Sequence, residues 1–255
     1  MISVNDTPPQ ISIITPTYQR ARTLARTIRS VRRQTFVDWE QIIVDDGSTD
    51  DTASIVGRYV RRDARIRYVH RENGGPVAAM NMGAGLARSP LLAFLDSDDE
   101  FAPDHLRLRV DYLSRHPGVD LVWGGLRAIG PRERQFYPDI ERPGHRIHAS
   151  ECHVCGTFVL RRTAFERAGG FRRLVSADYD LCQRLEAMGA RVNQVPYPTL
   201  LHHMEGDDRI GIRVENVKPD GALQPEPDNV ALITQRHLQP QRERHEAHPA
   251  PHERP

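Results

Sequence analysis

Asp96-Ser97-Asp98-Asp99 follows directly on the apolar run Leu91-Leu92-Ala93-Phe94-Leu95, and its carboxylates are the clearest chemical signal in the sequence. In extended backbone, residues two apart point the same way, so Asp96 and Asp98 can share one ligand. Two carboxylates about 5 Å apart repel by roughly 3 kcal/mol at an effective dielectric near 20. A divalent cation removes that cost. Hard oxygen donors favour Mg2+ or Mn2+, which commonly bind through one or two carboxylates plus substrate phosphates. Two other apolar runs also end in polar clusters. Thr15-Pro16-Thr17-Tyr18 follows residues 11–14, and Asp45-Asp46-Gly47-Ser48-Thr49-Asp50 follows residues 41–44. One such ending is ordinary, but three on one edge point to a site for a polar, phosphorylated ligand.

Apolar runs without alternation read as strands buried on both faces of a parallel sheet, which would hold these side chains. Four strands are expected at residues 11–14, 41–44, 66–69 and 91–95. Helical patterns separate them at 21–34, 52–61 and 77–86, the first with Leu24, Ile28 and Val31 on one stripe. Asp50 or Asp51 would cap the second helix. This alternation implies right-handed crossovers and an α/β, doubly wound, mostly parallel sheet with helices on both faces. Such sheets bind ligands beyond the carboxyl ends of their strands, where the polar clusters fall. Farther on, helices are expected at 103–114, 161–168 and 178–189, with strands at 119–123 and 157–160. Gly169-Gly170 stops the second of these helices. Residues 130–150 are rich in Pro, Gly, Arg and His and are expected to form a mobile loop, a candidate lid over bound ligand. From about residue 213 the composition predicts a polar, disordered tail.

With 255 residues, 38% hydrophobic and 27% charged, the chain can bury one sizeable core. A formal charge of +1 makes no case for nucleic acid as a partner. No apolar stretch approaches a membrane span, and residues 1–6 lack the pattern of a signal peptide. Three cysteines make no disulfide framework, so the expected address is cytoplasmic. Cys152-His153-Val154-Cys155 has the spacing of half a zinc site but no second pair, which favours a metal-free reading. Arg22, Arg26, Arg29 and Arg33 share one helical face. A solvated face is the first reading of them, and peripheral contact with the inner face of an anionic membrane is the second.

Five stretches taken together resemble a family-2 glycosyltransferase, over about residues 11–204. They are Ile13-Ile14-Thr15-Pro16-Thr17-Tyr18, Val44-Asp45-Asp46-Gly47-Ser48-Thr49-Asp50, Glu72-Asn73-Gly74-Gly75 with Asn81-Met82-Gly83, Phe94-Leu95-Asp96-Ser97-Asp98-Asp99, and Gly169-Gly170-Phe171 with Asp178-Tyr179-Asp180-Leu181. The resemblance implies the GT-A fold, a Rossmann-like form of the same sheet, over residues 10–210. Residues 10–99 would be its nucleotide-sugar half, residues 100–210 its acceptor half and residues 213–255 a tail. It also implies an inverting, metal-dependent transfer from a UDP-sugar to a saccharide, lipid-linked or other hydroxyl acceptor. By the same resemblance Thr15, Pro16, Thr17 and Tyr18 line the nucleotide pocket, and Asp45 or Asp46 bonds the base. Asn81 and Ser97 belong to the donor site, and Asp96 binds ribose or supports the metal. Asp98 holds Mn2+ or Mg2+ on the diphosphate, with His203, or else His202, contacting the metal. Asp178 is the catalytic base. Two positions depart from the family pattern. Met80 stands where arginine is frequent, and Ala177 where an acid commonly precedes the base. They sustain a rival reading as a nucleotide-sugar-binding protein without turnover. A sugar nucleotidyltransferase is the other rival, weakened because Thr15-Pro16-Thr17-Tyr18 lacks the glycines of a triphosphate loop.

Overall fold

The protein is described by a computed structural model covering residues 7–139, 142, 144–174 and 176–205. The expected tail at 213–255 lies outside the described residues. The chain runs β1 (Ile11–Thr17), α1 (Leu24–Arg32), β2 (Trp39–Asp45), α2 (Thr52–Val60), β3 (Ile66–His70), α3 (Pro76–Gly85) and β4 (Leu91–Phe94). There follow β5 (Glu100–Phe101), α4 (His105–Arg115), β6 (Leu121–Trp123), β7 (Leu126–Ile129), β8 (Phe136–Pro138) and β9 (Arg146–His148). The described part closes with β10 (Val159–Arg161), α5 (Arg162–Arg167), α6 (Ala177–Ala187), β11 (Val192–Gln194) and β12 (Leu200–His203).

Seven strands form the main sheet in the order β11-β6-β10-β4-β1-β2-β3, and only β10 runs against the rest. Every residue of β1 and β2 is buried, as expected for strands covered on both faces. Their alternation divides the core. Ile11 and Ile13 pack with α1, α2 and α4 on one face, through Ile28, Val56 and Val110. Ile14 and Val44 pack with α3, α5 and α6 on the other, through Ala79, Phe165 and Leu181. The fit of α3 against β1 leaves no room for a side chain at Gly83, where a Cβ would lie 2.5 Å from an Ile14 methyl. Two polar pairs lie inside the sheet: Ser12 donates to the Glu40 carboxylate at 2.8 Å, and Gln41 donates to the Thr15 hydroxyl at 3.0 Å.

The expected strands and helices are present, with shifted ends. Two features differ from expectation. The Pro- and Gly-rich stretch expected as a mobile loop contains the β8–β9 hairpin, where Phe136 packs edge-on to His148 and Arg146 lies over the Phe136 ring. A small second sheet, β5-β12-β7, also carries the chain back over the end of β4. Arg109 fastens this region. Fully buried, it donates to the carbonyls of Thr157 (2.9 Å) and Gly124 (2.6 Å) and to the Thr199 hydroxyl (2.7 Å). Burial, opposed by Tyr197, pulls its pKa down to about 9. No helix among the described residues is long and apolar enough to cross a membrane.

Candidate active site

The acidic turn after β4 is built by its neighbours. Leu95 N–H donates to the Ile14 carbonyl, carrying the turn along the end of β1. The start of α1 then clamps the turn backbone: Thr23 donates to the Ser97 carbonyl (3.0 Å), Arg26 to that of Asp98 (2.6 Å) and Thr27 to that of Asp99 (2.8 Å). With its carbonyls bound, the turn presents Asp96 and Asp98 half-buried and keeps Asp99 buried.

Asp99 is the organising residue, and the sequence reading did not single it out. One of its oxygens accepts from His202 Nδ1 at 2.7 Å and the other from the His203 backbone N–H at 2.8 Å. Its signal was visible as the last member of the Asp96–Asp99 run. It brings β12 across 103 positions of sequence onto the acidic turn. His202 Nε2 meets the Tyr137 hydroxyl at 3.0 Å, so the hairpin joins the same cluster. No local sequence signal marks Tyr137.

These groups titrate against one another. Desolvation, then the charges of Asp99 and Asp98, push the Asp96 carboxyl up to about 7. Asp98 is raised by desolvation and by Asp99, against Arg20, whose guanidinium lies 3.7 Å away. Asp178, in the first turn of α6, is pushed up to about 6 by desolvation, with the Tyr179 N–H at 2.9 Å pulling the other way. Desolvation alone would lower His202, but Asp99, Asp96 and Asp98 outweigh it and the net shift is upward. Asp178 also acts on Asp96, and His202 on Asp178, so four segments of the chain meet in one electrostatic cluster. Cys155 adjoins it: burial raises its thiol, followed by the charges of Asp96 and Asp178.

At the nucleotide end expected from the sequence, the residues divide. Thr17 is buried at the end of β1 with its hydroxyl unpartnered, and Tyr18 beside it is 41% exposed. Pro16 is buried in β1, and Ser97 is buried in the acidic turn. Thr15 is taken up by Gln41. Asp45 accepts from Ser48 N–H (2.8 Å) and the Tyr68 hydroxyl (2.5 Å). Asp46 accepts from Gly74 N–H (3.0 Å) and Gly75 N–H (2.7 Å) and pairs with Arg71 at 3.3 Å, which shapes the loop before α3. Asn81 spends both ends of its amide on the Phe171 backbone, at 2.8 and 2.9 Å. His203 bonds Glu100 at 3.0 Å, and its Nδ1 is buried without a hydrogen bond. The structure therefore gathers Asp96, Asp98, Asp178 and His202, sets Thr17 at the same strand edge, and gives Asp45, Asp46 and Asn81 scaffold bonds.

Among the described residues, no group of three or more His, Cys, Asp or Glu is arranged to enclose a metal ion. The donor set nevertheless fits a divalent cation whose remaining ligands are phosphate oxygens. Asp96 and Asp98 are desolvated carboxylates with raised pKa, the imbalance a cation relieves. His202 has both ring nitrogens engaged and would have to release Tyr137 to become a ligand.

Comparison with known proteins agrees with this geometry. The profile described as Glycosyl transferase family 2 matches residues 12–173. Chondroitin synthase of Escherichia coli is 30% identical over 202 residues, spanning 76% of this chain and 29% of that protein. Among solved structures, S. aureus TarS 1–349 in complex with UDP-GlcNAc superposes with a TM-score of 0.64 at 19% identity, over 78% of this chain and 60% of that one. The mannosyltransferase PcManGT from Pyrobaculum calidifontis, in complex with GDP-Man and Mn2+, gives 0.61 at 23% identity, over 77% and 57%. The chain spans less than two thirds of each of these relatives. The sheet order, its single reversed strand and the likeness to these structures identify the fold as GT-A. With the profile covering more than half its length, the chain belongs to glycosyl transferase family 2.

Proposed function

We propose that this chain is an inverting, metal-dependent glycosyltransferase that moves a sugar from a nucleotide-diphosphate donor, a UDP-sugar, to an acceptor hydroxyl. The carrying observation is the convergence of Asp96, Asp98, Asp178 and His202 on one strand edge, with two of the carboxyls held at about 7 and 6. Relatives in complex with UDP-GlcNAc and with GDP-Man and Mn2+ support the class of donor and of cation.

Asp178 is the base. A carboxyl raised to about 6 is still ionised at neutral pH, yet it takes a proton better than an ordinary aspartate. It receives the acceptor proton as the hydroxyl attacks the anomeric carbon from the face opposite the departing diphosphate, which inverts that centre. Asp98, supported by Asp96, would hold Mn2+ or Mg2+; of the two histidines, His202 is favoured over His203 because Asp99 fixes its ring against the acidic turn. When bound, that cation neutralises charge on the departing diphosphate, so no protonated acid is needed. The free hydroxyl of Thr17, with Tyr18, Pro16, Thr15 and Ser97, lines the donor pocket. Asp45, Asp46 and Asn81 frame it, and Asp45 or Asp46 also bonds the nucleobase. Residues 100–210 supply the acceptor side, for a saccharide, lipid-linked or other hydroxyl. A cytoplasmic address belongs to the same reading.

The test is nucleotide release from a panel of nucleotide sugars with Mn2+, Mg2+ or chelator. Release should need the cation and vanish in Asp98→Asn, while Asp178→Asn keeps donor binding and loses transfer. Turnover equal to wild type in both variants would overturn the assigned roles. Met80 and Ala177 favour one second reading, a binding protein without turnover, which predicts donor binding by the wild type and no released nucleotide under any condition.

A further inference from the structure

Along their facing sides, α1 and α2 form a cleft of about 360 Å3 lined by Ala25, Arg29, Ile55, Arg58, Tyr59 and, just past α2, Arg62. We propose that this cleft and the exposed arginines around it dock the protein on an anionic phospholipid bilayer, with one lipid phosphate seated among Arg29, Arg58 and Arg62.

Charge is segregated here in a chain whose formal net charge is only +1. Neither α1 nor α2 contains an acidic residue. Arg22, Arg29, Arg32, Arg33, Arg58, Arg61 and Arg62 are all exposed on these helices and their flanks. The acid facing the cluster, Asp63, is taken by Arg32 at 3.3 Å and Arg65 at 2.9 Å. Among the described residues Arg29, Arg58 and Arg62 have no carboxylate within ion-pair distance. Arg29 makes one long bond, to the Tyr59 hydroxyl at 3.5 Å, and that hydroxyl bonds the Ala25 carbonyl at 3.4 Å. Tyr59 thereby forms a polar-edged floor beside the apolar Ala25 and Ile55. Three unpaired guanidinium groups over such a floor match a phosphate carried on a hydrocarbon body. Beyond the end of α1, Val37 is 67% exposed, an apolar side chain available at the same end of the helix.

The sequence alone read this arginine face as Arg22, Arg26, Arg29 and Arg33. The structure changes its membership: Arg26 turns to the Asp98 carbonyl, and Arg58 and Arg62 of the α2 region join instead. The same helix therefore carries both features. Arg26 holds the acidic turn, and Arg29, one turn later on the same side, lines the cleft. Docking through the cleft would lay the α1–α2 face on the bilayer, with the acidic edge at the opposite ends of those helices, turned toward a membrane-anchored acceptor that extends past the surface. Only this last consequence rests on the proposed activity; the docking itself does not.

The experiment is flotation of the full chain with phosphatidylcholine vesicles, with and without phosphatidylglycerol. The expected result is flotation that requires phosphatidylglycerol and weakens as salt rises. Replacing Arg29, Arg58 and Arg62 together by Gln should lower partitioning on the order of 100-fold at unchanged melting temperature, each charge near the surface contributing about a factor of five. Arg58→Glu alone, at an exposed and unpaired position, should give a smaller loss and covers the case in which the triple variant does not fold. No dependence on phosphatidylglycerol, or flotation of the variants equal to wild type, would overturn the proposal. So would release from the vesicles by inorganic phosphate at constant ionic strength, which marks a small-anion site. Binding of single-stranded RNA that the triple variant loses, with vesicles ignored, would assign the face to nucleic acid and overturn it as well.

Discussion

Asp96 leaves the end of β4 desolvated, beside Asp98 and Asp99, and its carboxyl is raised to about 7. Because the folded pKa exceeds the unfolded one, the folded state binds this proton more tightly. That contribution to stability is complete below the unfolded value of 3.8 and is lost as pH rises through about 7. Asp96→Asn should therefore stabilise the metal-free protein at pH 8 by on the order of 2–4 kcal/mol and change it little at pH 4 or below. Thermal unfolding at the two pH values is the measurement, and an unchanged or lower melting temperature at pH 8 would contradict the placement. Function pulls the other way, since the same substitution should weaken binding of donor with Mn2+. A second prediction concerns Asp178, whose carboxyl is raised to about 6 by desolvation. With the ionised form as the proposed base, turnover should fall about tenfold per pH unit below that value. A limb near pH 4 in the profile of kcat would separate the group that titrates from Asp178.

At the scale of elements, the site depends on joints that do no chemistry. Asn81 of α3 grips the Phe171 backbone with both ends of its amide. The adjoining Gly170 has φ +72°, and a Cβ there would stand 2.7 Å from the Asn81 Oδ1. Gly170→Ala should cost about 1–3 kcal/mol in stability and loosen the approach to α6, which carries Asp178. Denaturant unfolding, together with a raised KM for donor, reports both effects; a fully wild-type variant would mean that the turn adapts freely. Arg109 is the corresponding joint of the second half, fixing α4 to Gly124, Thr157 and Thr199 through a planar fork of donors. Lysine keeps the charge but cannot reach those acceptors in one geometry. Arg109→Lys should lose about 3 kcal/mol, roughly one per abandoned hydrogen bond. A loss under about 0.5 kcal/mol in chemical denaturation would contradict that role.

Over the whole molecule, what the sequence made legible follows from where the information lies. β4 is a continuous apolar run, and β1 and β2 each hold a short apolar stretch, Ile13-Ile14 and Ile42-Ile43-Val44; all three run into polar endings, so each announces its type and its functional edge within a few residues. β5 and β12 have two and four residues and exist because each pairs with chain far away, β12 with β5 and β7. Nothing local encodes such strands. The same limit hid partners rather than residues. Asp99 stood in plain view, but its bond to His202 spans 103 positions, and Arg26 read as a solvated side chain until its carbonyl partner at Asp98 was in place. Asp46 and Asn81 were legible as conspicuous polar residues, whereas their scaffold bonds to Gly75 and Phe171 were not. The site is thus completed only when the second half folds back through β12, and this sets the pattern of protection expected from a bound donor. UDP with Mn2+ at about 100 times its Kd stabilises the competent state by about 2.7 kcal/mol, or roughly 100-fold in exchange by global opening. Amides of the acidic turn, the first turn of α1 and β12 should slow together, because Asp99 and the Thr23, Arg26 and Thr27 side chains bind them into one unit. Hydrogen exchange resolved by peptide is the measurement. Protection confined to residues 11–99, with β12 exchanging as in the free protein, would mean that the two halves do not share the ligand and that His202 stands outside the site.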